Sequence, residues 1–239
     1  MNPTQRQAQP TSHKLMPEVM WLVSLAFLAV FYFFPLSSIL QVSFARSEAG
    51  WLAALSDTLA SPVTQRVLGF TIWQALLSTL LTLVIGLPGA YLFARYQFAG
   101  KSLLQALTTI PFVMPTLVVA AAFNALLGPR GWLNLGLMQV FNLPQAPLNL
   151  TNSLGAILLA HIFYNTTIVL RMVGDFWSHL DPKLTQAAQV LGANPWQRFW
   201  RVTVPLILPA VSAAALLVFI FDFSSFGVIL LLGGPRFAT

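Results

Sequence analysis

A chain of 239 residues in which 57% of side chains are hydrophobic and 8% are charged cannot cover a water-soluble globule with polar surface, so the sequence predicts a polytopic membrane protein. The net charge of +6 would point to nucleic acid in a soluble chain; in a membrane chain it reflects the lysine and arginine bias of cytoplasmic loops, and no nucleic-acid partner is expected. The absence of cysteine removes disulfides, thiolate metal sites and cysteine nucleophiles.

In chain order, residues 1–17 are polar and proline-bearing and are expected to be a disordered, cytoplasmic amino terminus. Residues 18–239 are expected to form one transmembrane domain. Its first span, 19–42, is long enough to cross a ~30 Å hydrocarbon core with some tilt. Ser43-Phe44-Ala45 resembles a signal-peptidase site, but the apolar run before it is too long for a signal peptide, so the span is read as uncleaved. Trp51, Leu52, Leu55 and Leu59 then recur at helical spacing before a break at Ser61-Pro62, which predicts a short external helix resting on the bilayer.

The second span, 67–94, contains Gly86-Leu87-Pro88-Gly89-Ala90, which reads as a kink at a packed helix crossing or as a pathway hinge. Gly100-Lys101-Ser102 looks like the tail of a P-loop, but Arg95 stands where that motif needs its first glycine and no strand precedes it. No nucleotide site is expected there. The third span, 103–127, carries Pro111 and Pro115 ahead of Ala120-Ala121-Ala122, so it should bend and then pack tightly, with Asn124 bonding to a neighbouring helix. A turn at Gly128-Pro129-Arg130-Gly131, an amphipathic fragment around Trp132, Leu135 and Met138, and an irregular external loop to Asn152 follow.

In the fourth span, 153–173, His161 and Asn165 lie four apart on one face. They are read as interhelical hydrogen-bonding groups or as the lining of a polar pathway; the spacing fits no metal site. The fifth span, 204–232, holds Asp222, the only acid well inside an apolar run. A charge at the bilayer centre costs about 2.5–3.5 kcal/mol on insertion scales, less toward the ends. Asp222 lies about 25 Å along the helix from Pro205, so it is expected near the external mouth, solvated or hydrogen-bonded, with Ser224 and Ser225 as neighbours. His161, Asn165, Asp222 and Ser225 are thus the candidate translocation path.

Between these two spans lies the one well-patterned polar insert, residues 181–203. Asp181-Pro182 and Asn194-Pro195 each read as an N-cap followed by proline at the first helical position. Leu184, Ala187, Ala188 and Leu191 form one apolar stripe, which Gly192 ends. Trp196, Phe199 and Trp200 form a second, with Arg198 and Arg201 turned away from it. The pattern suits an amphipathic segment in the headgroup layer or a helical plug for the groove of a soluble partner. With a cytoplasmic amino terminus, the inside holds Arg6, Lys14, Arg95, Lys101, Arg171, Lys183, Arg198 and Arg201, against Arg46, Arg66, Arg130 and Arg236 outside. This asymmetry puts the insert in the cytoplasm.

Gln186-Ala187-Ala188, three residues, Gly192, nine residues and Val202-Thr203-Val204-Pro205 resemble the cytoplasmic "EAA" loop of binding-protein-dependent ABC transporter permeases, whose pattern is Glu-Ala-Ala, three residues, Gly, nine residues, Ile-x-Leu-Pro. The chain departs at Gln186, where relatives carry glutamate. The segments SLGAILLAHIFYN, ending at Asn165, and FGVILLLGGPRFAT, beginning at Phe226, resemble the iron(III) and thiamine branch, in which relatives continue into a further span and a second homologous half. The chain is therefore expected to be an amino-terminal fragment.

The resemblance implies an all-α helical bundle, one half of a type I (MetI-like) ABC importer permease, in a bacterial cytoplasmic (inner) membrane. Gln186, Ala187, Ala188, Leu191, Gly192, Trp196, Val202 and Pro205 would then couple it to ABC ATPase subunits. Loops 43–66 and 128–152 would receive a periplasmic or lipid-anchored binding protein, and a second permease half or second copy would complete the pathway. The solute would be iron(III) or thiamine-like, with no cofactor and no chemistry of the chain's own. The rival readings are an ion-coupled secondary transporter using Asp222 or His161, and an intramembrane enzyme, for which these two residues show no partners at recognisable spacing.

Overall fold

In the computed structural model, residues 15–45, 50–148, 150–234 and 237 are described, and all regular structure among them is helical. The expected disorder of residues 1–14 lies outside the described residues, whereas Leu15, Met16 and Pro17 begin a helix. The chain divides into two units, residues 1–65 and 66–239.

The first unit contains α1 (Leu15–Leu28), a π-helical turn (Ala29–Phe33) and α2 (Phe34–Ala45) in one continuous run, then α3 (Trp51–Ala60). The stretch Trp21–Val42 is apolar on every face, the pattern of a helix solvated by lipid. The widened turn has a local cause. Proline lacks an N–H and its ring clashes with the carbonyl four residues back, so a π turn ahead of it swings that carbonyl aside. Phe33 ends two residues before Pro35, and the π turn Phe199–Thr203 ends two residues before Pro205.

The second unit is built on α4 (Pro62–Arg95, which starts just before the unit boundary), α8 (Leu154–Ser178) and α11 (Val204–Phe223). Their facing sides are lined by small residues at near-helical spacing: Ala75, Gly86 and Ala90 on α4, Ala160 and Gly174 on α8, Ala210 and Ala214 on α11. Close approach follows. A Cβ on Gly86 would sit 2.8 Å from the Val169 Cβ, and one on Gly89 2.6 Å from Leu170 Cδ2. Pro88 between them lies inside a helix that continues through it; its missing N–H is tolerated where neighbouring helices pack around it.

The expectation of one bent span over 103–127 is corrected. The chain breaks into α5 (Lys101–Val113) and α6 (Thr116–Leu127), with Met114 and Pro115 extended at ψ 135° and 137°. Pro115 pushes the residue before it out of the α region, and Tyr164 Oη donates to the freed Met114 carbonyl at 3.3 Å. The helical run in this region that is long and apolar enough to cross a bilayer is Thr116–Phe141, which takes in α7 (Trp132–Phe141). Asn124 is exposed, not buried between helices. Asn134 does that work for the following loop: fully buried, it donates to the Gly128 and Leu148 carbonyls at 2.8 Å each and accepts from the Leu148 N–H at 2.9 Å.

The expected span 204–232 is also interrupted. α11 ends at Phe223, Ser224 and Ser225 form a turn, and α12 (Phe226–Val228) leads into a π turn, Ile229–Gly233. The Ser224 hydroxyl donates back to the Ile220 carbonyl at 2.8 Å, a local bond that competes with helix continuation.

Candidate functional site

Residues 181–203 fold as the two-helix corner their pattern predicts. Asp181 caps α9 (Pro182–Val190) by accepting from the Lys183 N–H at 2.8 Å. Gly192 adopts φ +86°, and two reverse bonds close the helix: Ala193 N–H to the Ala188 carbonyl and Gly192 N–H to the Gln189 carbonyl, both 3.0 Å. This is the Schellman arrangement, which needs a left-handed residue at the position of Gly192. Asn194 then opens α10 (Pro195–Arg198) with a reciprocal capping box to Gln197, at 2.8 and 3.0 Å.

The helix ends at the corner are therefore capped by local hydrogen bonds, which fix the bend. It carries Val190 and Leu191 outward, 87% and 86% exposed. Gln186, Ala187, Gly192, Trp196 and Pro205 are also exposed, while Ala188 and Val202 are half-buried. Arg198 donates from Nη1 to Gln189 Oε1 at 2.8 Å, lashing α10 to α9. Pro205 follows the π turn Phe199–Thr203, which joins the corner to α11.

The four path candidates come together although 64 residues separate His161 from Ser225. Along α8, a polar layer at His161 and Asn165 divides one apolar cluster (Ala156, Ile157 and Ala160 with Val228 and Ile229) from another (Val169 and Val173 with Ala90, Ala214 and Val218). Asn165 Nδ2 donates to Asp222 Oδ1 at 2.6 Å, and His161 Nε2 meets Ser225 Oγ at 2.9 Å. His161 Nδ1 lies 3.4 Å from the same Asp222 oxygen without forming a hydrogen bond.

Asp222 is fully buried within the unit, with Oδ1 hydrogen-bonded to Asn165 and Oδ2 without a partner among the described residues. Ser225 joins the layer through His161; Ser224 does not join it. The order Ser225, His161, Asp222 gives the enzyme reading the partners that the sequence spacing had not shown. It lacks the bond that would let the carboxylate orient the imidazole: His161 Nδ1 and Asp222 Oδ2 both have no hydrogen-bond partner among the described residues. Beside the layer lies a cavity of about 260 Å³, lined in part by Phe112, Thr116, His161 and Asp222. Among the described residues no group of His, Asp and Glu could hold a metal ion.

Sequence reasoning missed α4's contribution. Gln74, fully buried, donates from Nε2 to the Asp222 backbone carbonyl at 3.0 Å, and Ser78 and Thr82 continue the polar stripe below it. The signal was present: Thr71, Gln74, Ser78 and Thr82 recur at helical spacing on one face of an otherwise apolar run.

Three spans packed through small residues, a polar layer within them and a capped polar corner at one end define a helical membrane transport domain. The solved structure of "a bacterial ABC transporter involved in the import of the acidic polysaccharide alginate" has a chain that shares this fold, with a TM-score of 0.72 and 19% identity, covering 95% of this chain and 80% of that one. Residues 83–238 match the family described as "Binding-protein-dependent transport system inner membrane component", and the chain belongs to it.

"Probable sulfate transport system permease protein cysT" of Marchantia polymorpha is 32% identical, over 74% of this chain and 60% of that protein's length. The sulfate transport system permease protein CysT of Escherichia coli is 28% identical, over 88% and 73%. The spermidine/putrescine transport system permease protein PotB of Haemophilus influenzae is also 28% identical, over 88% and 76%. The chain thus spans about three fifths of the length of the Marchantia relative. It is an inner-membrane component of this transport family, with five helices among the described residues long and apolar enough to cross a membrane.

Proposed function

We propose that this chain is a transmembrane subunit of an ATP-driven importer, moving a small solute that a periplasmic or lipid-anchored binding protein delivers. The observation that carries this reading is the corner at Gly192, a stiff bend that presents Val190 and Leu191 to solvent while its far end runs directly into α11. A rigid knob of this shape suits a cleft in a motor subunit, because a push on it reaches the membrane helices without being lost in a loop. The amino terminus and the corner are cytoplasmic in this reading, and a second permease half or second copy completes the path. The layer of Gln74, His161, Asn165, Asp222 and Ser225 lies beside that path.

The relatives are named for sulfate, spermidine and putrescine, and 2-aminoethylphosphonate. These names support a small, charged, water-soluble solute. The narrower expectation of iron(III) or thiamine rests on the resemblance of residues 153–165 and 226–239, and none of these three relatives is named for either.

The test is uptake into proteoliposomes that contain the chain with its ATPase and binding protein. Radiolabelled solute is expected to accumulate when ATP is supplied on the ATPase side, to persist with a protonophore, and to stop when either partner is left out. Accumulation without the ATPase that collapses with the protonophore would instead establish the ion-coupled reading through Asp222 and His161.

A further inference from the structure

Where α4 ends at Arg95, α8 at Ser178 and α11 begins at Val204, the second unit holds two adjoining cavities. The deeper one, about 460 Å³, is lined by apolar groups that include Leu87, Ile207, Leu208 and Val211. The shallower one, about 430 Å³, is lined by Arg95, Arg198 and Tyr96 among others. Tyr91, Trp177 and Phe199 line both, so one space runs from a basic mouth into an apolar interior.

At the junction two buried donors have no partner among the described residues, and the side-chain acceptors that line it are the uncharged hydroxyls of Tyr91, Tyr96, Thr185 and Thr203. Trp177 is 4% exposed, and its indole N–H has no partner among the described residues. The buried Nε of Arg198 is likewise unpartnered, and no Asp or Glu lines either cavity. Indole and guanidinium groups donate only, so what satisfies them must bring acceptor oxygens and, beside two arginines, negative charge. The tyrosines and tryptophans at the helix ends mark this as the depth of the lipid headgroups. The apolar interior then lies at the depth of the acyl chains.

We propose that this end of the second unit binds one anionic phospholipid, with its phosphate and ester oxygens at Arg95, Arg198 and Trp177 and one acyl chain in the apolar cavity. The site is separate from the ATPase-facing knob at Val190 and Leu191, and it depends only on the chain lying in a membrane. A lipid held there would brace the base of the corner against α4 and α8.

The test is native mass spectrometry of the full chain in detergent with equimolar phosphatidylglycerol and phosphatidylcholine. One phosphatidylglycerol is expected to be retained in preference. Arg95→Gln, which removes a cation that makes no ion pair with an acid among the described residues, should lower that preference about fivefold. Trp177→Phe should weaken retention, and Val211→Phe, which narrows the apolar cavity, should weaken it for both headgroups. Equal retention of the two lipids, a preference unchanged in Arg95→Gln, or no retained lipid because a second protein chain covers the cavities would each overturn the proposal.

Discussion

Gly192→Val is expected to abolish solute uptake while ATP hydrolysis continues. A Cβ at this position meets nothing within 4 Å, so the effect is one of backbone conformation and not of crowding. At φ +86° an L-residue pays about 1–2 kcal/mol, and a β-branched one more. That alone reduces the population of the closed corner by about 5–30-fold. It also releases the two reverse bonds to Ala188 and Gln189 that fix the bend. Gly192→Asn is the matched control, since asparagine tolerates the left-handed region; it should retain most uptake. The readout is the ratio of solute transported to ATP hydrolysed in proteoliposomes, and a normal ratio in Gly192→Val would remove the corner from the mechanism.

Asp222→Ala should destabilise the second unit. The carboxylate holds Asn165 at 2.6 Å and faces His161 at 3.4 Å, in a layer closed above and below by apolar clusters. Deleting one partner of a buried hydrogen bond strands the other, here the neutral Asn165 amide, at a cost of roughly 1–3 kcal/mol. Asp222→Asn keeps the shape and an acceptor for Asn165, so it should lose far less. Thermal unfolding in detergent separates the two variants. Equal melting temperatures for wild type, Asn and Ala would show that the layer carries no structural load. Where the layer also lines the path, Asp222→Asn should alter the KM for uptake while losing less stability than Asp222→Ala.

The corner could be read from the sequence because each of its devices is local: proline after a capping residue, an apolar stripe, and a glycine where the helix must turn left-handed. The polar layer could be read only in part. His161 and Asn165 share a helix face, but their meeting with Asp222 and Ser225 depends on how α8 and α11 pack, which periodicity does not encode. Gln74 escaped because a glutamine in an apolar run carries no sign of its partner until α11 is placed against it. The long spans 103–127 and 204–232 were drawn too continuous. Composition reports hydrophobic length, whereas the breaks at Met114-Pro115 and Ser224-Ser225 come from one ring clash and one side-chain-to-backbone bond. The bond from Arg198 to Gln189 could not be read either, because it depends on how α10 sits against α9.

The central claim is that the capped corner docks in a motor subunit on the cytoplasmic side. Site-specific crosslinking from Ala188→Cys, in membranes that contain the ATPase, tests it most directly. The account predicts a disulfide or short-linker adduct to the ATPase that changes in yield when ATP is bound. It also predicts that the same cysteine is labelled only by reagents that reach the cytoplasm. Labelling from the outer face, or adducts to every neighbour except an ATPase, would contradict it.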